Sequence, residues 1–430
     1  MNILGLNARL QVIAFLTGNI ISLIGNTLTL VALPWFVLET TGSAGKTGLT
    51  GMAFALPAFL SGIFGGVLID RLGGRRMSVI ADIVSGVSVA LIPILHLTVG
   101  LEFWQLLVLV FLGAMLDIPG LTARRTMLPS LSERAGVRPE AINSAFETMD
   151  AASIIIGPAI AGVLIVWIGS VNLLLLDAAS FAISALLIGV FAPDADAAEP
   201  DGAPAETGLG EVLAGLRFIR ADRLLLALAI TLVFTNFFNG PLFSVVMPVV
   251  VNDRYGDASR YGLLLTAFGI GSLLGGAGFG VFGHRLRSYR REMWLAGFLA
   301  VAFLRWMLVP DVPYLVLIGT MIVAGVLSGP VNPLLVTVRF ERIPARLRGR
   351  VFATFSALAS LADPVGMAAT GFYLERRGLE RGLIVTAALF TLLVLAIPFV
   401  RIFGQMNRID PADCADGGLD ERPEDVEAFS

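Results

Sequence analysis

Twelve apolar runs, each long enough to cross a bilayer, divide this 430-residue chain, and no other feature constrains its fold as tightly. The runs are 10–38, 47–69, 77–97, 103–121, 141–168, 171–191, 224–251, 261–282, 293–309, 313–336, 351–374 and 383–400. A membrane-spanning helix needs about 20 mostly apolar residues. Only 15% of the residues are charged, where a soluble domain would carry about a quarter. There is too little polar surface for water to cover, so lipid must cover much of the molecule. Within lipid the backbone must satisfy its own hydrogen bonds, and runs of this length do so as helices. The chain is expected to be an all-α integral membrane protein.

Basic residues sort by loop. Counting both termini and every second connection as one set, that set holds 23 of the 30 Lys and Arg residues, the other connections hold 6, and Arg305 lies inside a run. Positive charge concentrates on the cytoplasmic side, so a multi-pass protein of the plasma (inner) membrane with both termini cytoplasmic is expected. The segment Met1 to Arg9 leads directly into the first run with no small-residue cleavage site, so no removable signal peptide is expected. Cys414 is the only cysteine, and His96 and His284 are the only histidines. No disulfide, metal site or cofactor is expected from that set. The domain reading is a six-helix bundle over 1–191, a cytoplasmic linker over 192–222, a second six-helix bundle over 223–402 and an acidic disordered tail over 403–430. Pro193, Pro200, Pro204 and many acids predict a flexible linker, with a short amphipathic piece near Gly210 to Arg220.

The two bundles repeat each other. The loop Gly66-x3-Asp70-Arg71-x-Gly73-x-Arg75-Arg76 has a weaker copy at Gly280-Val281-Phe282-Gly283-His284-Arg285, 214 residues later. Arg124 stands five residues before Pro129, and Arg339 five before Pro344. Gly157-Pro158 is echoed by Asp363-Pro364. Two related membrane bundles joined in one chain are the architecture of a secondary transporter.

From about Gly18 to Val400 the chain resembles the major facilitator superfamily, whose fold is twelve transmembrane helices in two pseudo-symmetric six-helix bundles. Within it the chain is most similar to the twelve-span drug:proton antiporters, a group that includes macrolide and siderophore exporters. The residues carrying the likeness are Gly25-Asn26, Ala32-Leu33-Pro34-Trp35, Thr41-Gly42-Ser43, Pro57 and the Asp70-Arg71 loop. They continue with Ala123-Arg124, Leu128-Pro129, Gly157-Pro158-x3-Gly162, Asp177, Asn332-Pro333 and Pro344-x3-Arg348-Gly349-Arg350. The resemblance implies that Asp70 sits at the N-terminus of span eleven while Arg71 makes a cytoplasmic salt bridge. A carboxylate at a positive helix end gains about 0.3–1 kcal/mol, and Gly66 lets the two helices touch. Such a latch closes the inner gate in one state and breaks in the other. The plainer reading is a solvated loop that fixes topology. Gly157, Pro158 and Gly162 resemble the motif associated with antiporters, and an ordinary kinked helix is the alternative. Two departures stand out. Span four, Phe103 to Leu121, lacks the proton-relay Arg of many drug antiporters, and His284 replaces the acid in the second loop copy.

Ionisable groups inside the spans each need an explanation, because a charge at mid-bilayer costs about 2.5–3.5 kcal/mol on insertion scales. Asp363 falls near the middle of span eleven and is a candidate for proton coupling or cation contact. Asp117, Glu147 and Asp150 form a candidate acidic cluster on spans four and five, with pairing to Arg124 and Arg125 as the alternative. Asp82 is read as serving the Asp70 loop, Asp177 as structural, and Arg305 as snorkelling to the outer interface. Asn26, Trp35, Asn236, Asn239 and Asn332 lie on spans that line the cavity in the related fold and are candidate substrate contacts, or else helix–helix hydrogen bonds.

The leading functional expectation is proton-coupled efflux of a small amphipathic compound by alternating access. A second is export or flipping of an endogenous metabolite such as a siderophore or lysolipid, and a third is a transport-inactive sensor or scaffold. The expected partners are a small-molecule substrate, protons and the lipid bilayer, with no nucleic acid, and the protein is expected to be a monomer. An enzyme would need a nucleophile–base or metal constellation, and a nucleotide-driven pump would need a Gly-x4-Gly-Lys-Ser/Thr loop; the sequence has neither.

Overall fold

The computed structural model describes residues 8–193 and 208–407, and the side chains of 62–67, 208, 209, 211 and 212 lie outside that description. The surroundings of Gly66, most of the linker and the acidic tail from residue 408 are therefore outside the described residues. All regular structure among the described residues is helical.

The first half contains α1 (Ala8–Thr41), α2 (Ala44–Leu72), α3 (Gly74–Thr98) and α4 (Phe103–Ala135), the last broken at Leu116. Pro139–Phe191 is a single 53-residue element only by its hydrogen bonding; Gly169 adopts φ 82° and turns the chain back, giving α5 (139–168) and α6 (170–191). That conformation is accessible to glycine at no steric cost. The second half contains α7 (Arg223–Tyr255), α8 (Ala258–Phe282), α9 (Arg290–Met307), α10 (Tyr314–Arg342), α11 (Arg348–Arg377) and α12 (Leu379–Ala396). A short unnumbered helix, Gly208–Ala221, precedes α7. Nine of the described segments are long and apolar enough to cross a membrane, one of them the α5–α6 pair. With α2 and with α9, whose apolarity is diluted by Arg290, Arg291, Glu292 and Arg305, the spans number twelve.

Helix starts follow from side chains that accept orphan backbone N–H groups. Ser43 accepts from Lys46 at the start of α2, Asp222 from Leu224 and Leu225 at α7, and Asp257 from Ser259 at α8. Three spans are interrupted. α4 breaks at Leu116, α10 at Gly329-Pro330, and α7 passes through a π segment, Leu242–Val246, after Pro241. Broken helices in a membrane expose backbone groups that need partners, so they are tolerated where protein or a cavity supplies them.

The linker expectation needs correction at its C-terminal end. Ile219 is buried, and a Cβ on Gly215 would collide with Thr354 Oγ1, so the short helix lies hard against α11. Asp222 also pairs with Arg342 at 2.7 Å. An amphipathic helix beside an apolar bundle buries its stripe instead of remaining solvated. Residues 403–407, read from the sequence as tail, are likewise packed: Phe403 and Met406 are buried and Asn407 Oδ1 accepts from the Arg291 N–H.

The two halves meet tightly at one end. A Cβ on Gly48 would collide with the Met367 carbonyl oxygen, and one on Gly262 with that of Pro158. Ser43 Oγ and the Gly45 N–H both donate to Glu375, at 3.0 and 3.1 Å. At the opposite end, Gly278 and Gly280 of α8 and Gly349 of α11 have nothing within 4 Å of a Cβ position. The halves are thus closed together at the Ser43 end.

Candidate functional site

Between the halves, midway along the spans, lies a cavity of about 310 Å³. Its first-half wall is one face of α1 (Thr29, Leu30, Leu33, Pro34) and one face of α2 (Thr47, Thr50, Gly51, Phe54, Ala55, Ala58). Ala114, Asp117 and Ile118 come from the break in α4, Ser244 from the π segment of α7, and Ser360, Asp363 and Met367 from α11. The lining is apolar except for hydroxyls and two carboxylates, one from each half.

The two carboxylates are placed differently. The break at Leu116 makes Asp117 the first residue of the second segment of α4, and Ser85 Oγ donates to its Oδ1 at 2.9 Å. Asp363 is the sixteenth of thirty residues in α11. Gly240 of α7 packs directly against its carboxylate, and a Cβ on Gly240 would lie 2.6 Å from Asp363 Oδ1. Glycine at 240 therefore gives the carboxylate access to the helix just before the π segment.

The structure joins Asp117 to Asp363 and separates it from Glu147 and Asp150. Glu147 is exposed and pairs with the similarly exposed Arg125 at 3.1 Å, and Asp150 is half-buried away from the cavity lining. The proposed acid cluster on α4 and α5 is thus not one site: Asp117 faces the cavity, while Glu147 and Asp150 stay together beside Arg125 away from it. The five candidate cavity contacts also lie off the lining. Trp35 is buried in the core with its Nε1 donating to Glu39 at 2.7 Å. Asn239 Oδ1 accepts from Arg305, Asn26 and Asn236 are half-buried, and Asn332 is exposed on α10.

Arg305 does not snorkel. It is 3% exposed, donates from Nη2 to the Phe238 carbonyl at 2.7 Å, and lies over the Phe390 ring. Asp82 does not serve the Asp70 loop: it holds Arg124 Nη2 at 2.5 Å, both side chains being buried. Asn19, Ser22, Ser78 and Ser184 accept the remaining Arg124 donors. Arg124 therefore belongs to an internal network and not to a gate with Glu147.

In the glycine loop, Gly73 has φ 76° and ends α2 while starting α3. Arg75 donates to the Ala192 carbonyl at 3.4 Å, and Arg71 and Arg76 are exposed. Asp70 is exposed, and no hydrogen bond or ion pair is found for it among the described residues. The latch is not made in this arrangement. Gly157, Pro158 and Gly162 lie where α5 meets other helices: Gly157 against Thr27 of α1, and Pro158 and Gly162 against α8 of the other half.

Nothing in the sequence singles out the cavity hydroxyls. The spacing 47, 50, 51, 54, 55, 58 marks one face of α2, but it does not say that this face meets a cavity instead of another helix.

Residues 15–367 match the family model described as the Major Facilitator Superfamily. The chain is 34% identical over 381 residues to the multidrug efflux pump Tap of Mycolicibacterium fortuitum, covering 87% of this chain and 90% of that protein. It is 22% identical over 410 residues to macrolide efflux protein A of Streptococcus pyogenes, covering 92% and 96%. Among solved structures, the nucleoside transporter NupG superposes with a TM-score of 0.73 at 14% identity, covering 90% of this chain and 98% of that one.

Proposed function

The chain belongs to the Major Facilitator Superfamily, and on that premise we propose that it exports amphipathic, positively charged small molecules in exchange for protons. It is a transporter and not an enzyme. The efflux names of its relatives support the direction of transport. The chemical class comes from the cavity, where Asp117 and Asp363 face an apolar lining that holds no Lys, Arg or His among the described residues. An apolar wall takes the body of the substrate, and carboxylates in a low-dielectric space favour a cation strongly. The same carboxylates can hold protons when no cation is present, which makes the two ligands compete.

In this reading the Asp70 end and both termini are cytoplasmic, the Ser43 end faces outward, and the protein works as a monomer in the plasma membrane. The arrangement seen is then inward-open. Alternating access requires the halves to part along the Gly48–Met367 and Pro158–Gly262 contacts and to close at the Asp70 end. The single observation that carries the reading is the meeting of one carboxylate from each half in one cavity.

Efflux of ethidium, a permanently charged amphipathic dye, from a host lacking its own pumps tests it. Cells making the protein should accumulate less dye, and a protonophore should abolish the difference. Asp117→Asn and Asp363→Asn should each weaken export. No protection by the wild-type protein, or full uncoupler-sensitive export by both variants, would overturn the proposal.

A further inference from the structure

Asp177 has no part in the cavity lining, and among the described residues no cation bonds it. It is completely buried in α6, where Thr29 Oγ1 donates to its Oδ2 and Ser180 Oγ to its Oδ1 at 3.1 Å. A Cβ on Gly25 of α1 would collide with Asp177 Oδ1, so the carboxylate is pressed against the α1 backbone. The charged groups facing it from the elements packed nearby are Asp82 of α3 and Asp117 of α4, both acids. Arg124, the cation that Asp82 faces, is committed to Asp82. Burying a carboxylate with two hydroxyl donors and no counter-charge is costly unless it holds a proton.

Thr29 gives this carboxylate a route. Among the described residues it is the one side chain that both bonds Asp177 and lines the cavity. Along α6, Ser170, Asp177 and Ser184 recur every seven residues on one face. Ser170 donates to Glu39 at 2.5 Å and Ser184 to Asp82 at 2.8 Å. Between Ser170 and Asp177 the chain places Leu173 and Leu174, both fully buried. Toward the Ser43 end Asp177 is therefore walled off by apolar side chains, and toward the cavity it is one hydroxyl away.

We infer that Asp177 carries a proton exchanged for substrate, and that the Thr29 hydroxyl connects it to the cavity. This rests on the proton-coupled reading above. In loading, Thr29 passes its hydroxyl proton to Asp177 Oδ2 and takes one from a protonated cavity water, which leaves as neutral water. The hydroxyl is restored and the carboxylate becomes a carboxylic acid; unloading is the reverse. A threonine hydroxyl has one donor and two acceptor positions. With Asp177 ionised, the Thr29 O–H is turned away and its lone pairs face the cavity, which suits a cation. With Asp177 protonated, the acid donates to Thr29 and the Thr29 hydrogen turns into the cavity, which opposes a cation. Proton and substrate then exclude each other at the affinity level, and the linkage is reciprocal.

Proton release on ethidium binding, measured with a pH dye in weakly buffered detergent solution of the purified protein, tests this. Asp177→Asn should bind ethidium and release about one proton fewer per dye than the wild type. Thr29→Val, which keeps Asp177 and the side-chain shape, should show the same deficit, and Thr29→Ser should restore the release. Wild-type release with no deficit in either Asp177→Asn or Thr29→Val would overturn the role of Asp177 and leave proton-coupled export standing. If Asp177→Asn does not fold, Thr29→Val with its Thr29→Ser rescue decides alone. Ethidium binding by the wild type with no proton release would overturn the coupling itself, and this inference with it.

Discussion

Arg124 and Arg339 stand at equivalent places in the two halves, each five residues before a proline near the end of the fourth span of its bundle, yet they are used differently. Arg124 is buried and locked to Asp82 at 2.5 Å, with hydroxyls and an amide filling its other donors. Arg339 is half-buried and lies over the faces of Phe352 and Phe355, 4.7 and 5.0 Å from the ring centroids. No carboxylate partner of Arg339 is found among the described residues. The wider pattern agrees. The first half keeps Asp82, Arg124 and Asp177 inside its bundle. The second half has a largely buried ion pair, Arg290 with Glu341 at 2.6 Å, near the Asp70 end, and among the described residues only Arg305 is a buried cation in mid-bundle. A buried charge network tolerates little displacement, because losing one partner strands the other. Arginine over aromatic rings is satisfied by many geometries. The difference suggests that the first half is the rigid member and that rearrangement during transport concentrates in the second.

The largest expected effect tests that contrast directly. Arg124→Met strands the Asp82 carboxylate and should destabilise the detergent-solubilised protein by about 3–5 kcal/mol. Arg339→Met should cost only about 0.5–2 kcal/mol. Thermal unfolding of both variants measures this, and equal losses would break the comparison. Asp82→Asn combined with Arg124→Met should recover part of the loss.

A smaller effect should be shared by the halves. Gly162→Val and Gly262→Val each insert side-chain atoms where α5 and α8 touch, the first with its Cβ 2.8 Å from the Ala258 carbonyl oxygen and the second with its Cβ against that of Pro158. Overpacking of this kind costs about 1–3 kcal/mol and should move the access equilibrium about 5–150-fold away from the closed Ser43 end. Cysteine accessibility at Ser43 and Asp257 would report it. Gly280→Val, in open space at the far end of α8, should do nothing. An effect from one seam glycine and not the other would extend the asymmetry from charge to packing.

The smallest effect concerns the paired loops. Asp70 can supply a negative charge to a helix N-terminus once the Asp70 end closes, and His284 cannot at any pH. Asp70→Asn should raise the inward-open population several-fold, and His284→Ala should leave it unchanged. Cysteine labelling on the Asp70 side of α2 and α11 distinguishes the two. Equal responses would make the loop a topology signal only.

How much was legible varies by residue. The turn at Gly73 lies where glycine spacing places a loop. The Asp363 position was legible as depth in an apolar run. Its partnership with Asp117 was not, because they lie on different halves and meet only once the bundles dock. Arg305 departs from the snorkelling expectation because hydropathy reports distance from a span end and not the carbonyl of Phe238 waiting behind it.

The sequence by itself determined that this chain crosses a membrane twelve times, that it is built of two related bundles, and which side gathers positive charge. Those properties are local: apolar length sets a span, and a repeated loop marks a repeated bundle. Only the tertiary structure decided which charges neutralise one another and which face the cavity. Arg124 finds Asp82 across 42 residues and Thr29 finds Asp177 across 148. Such pairings depend on helix rotation and on the docking of faces, and a carboxylate one helical position away on the same span would have the same hydropathy and a different partner.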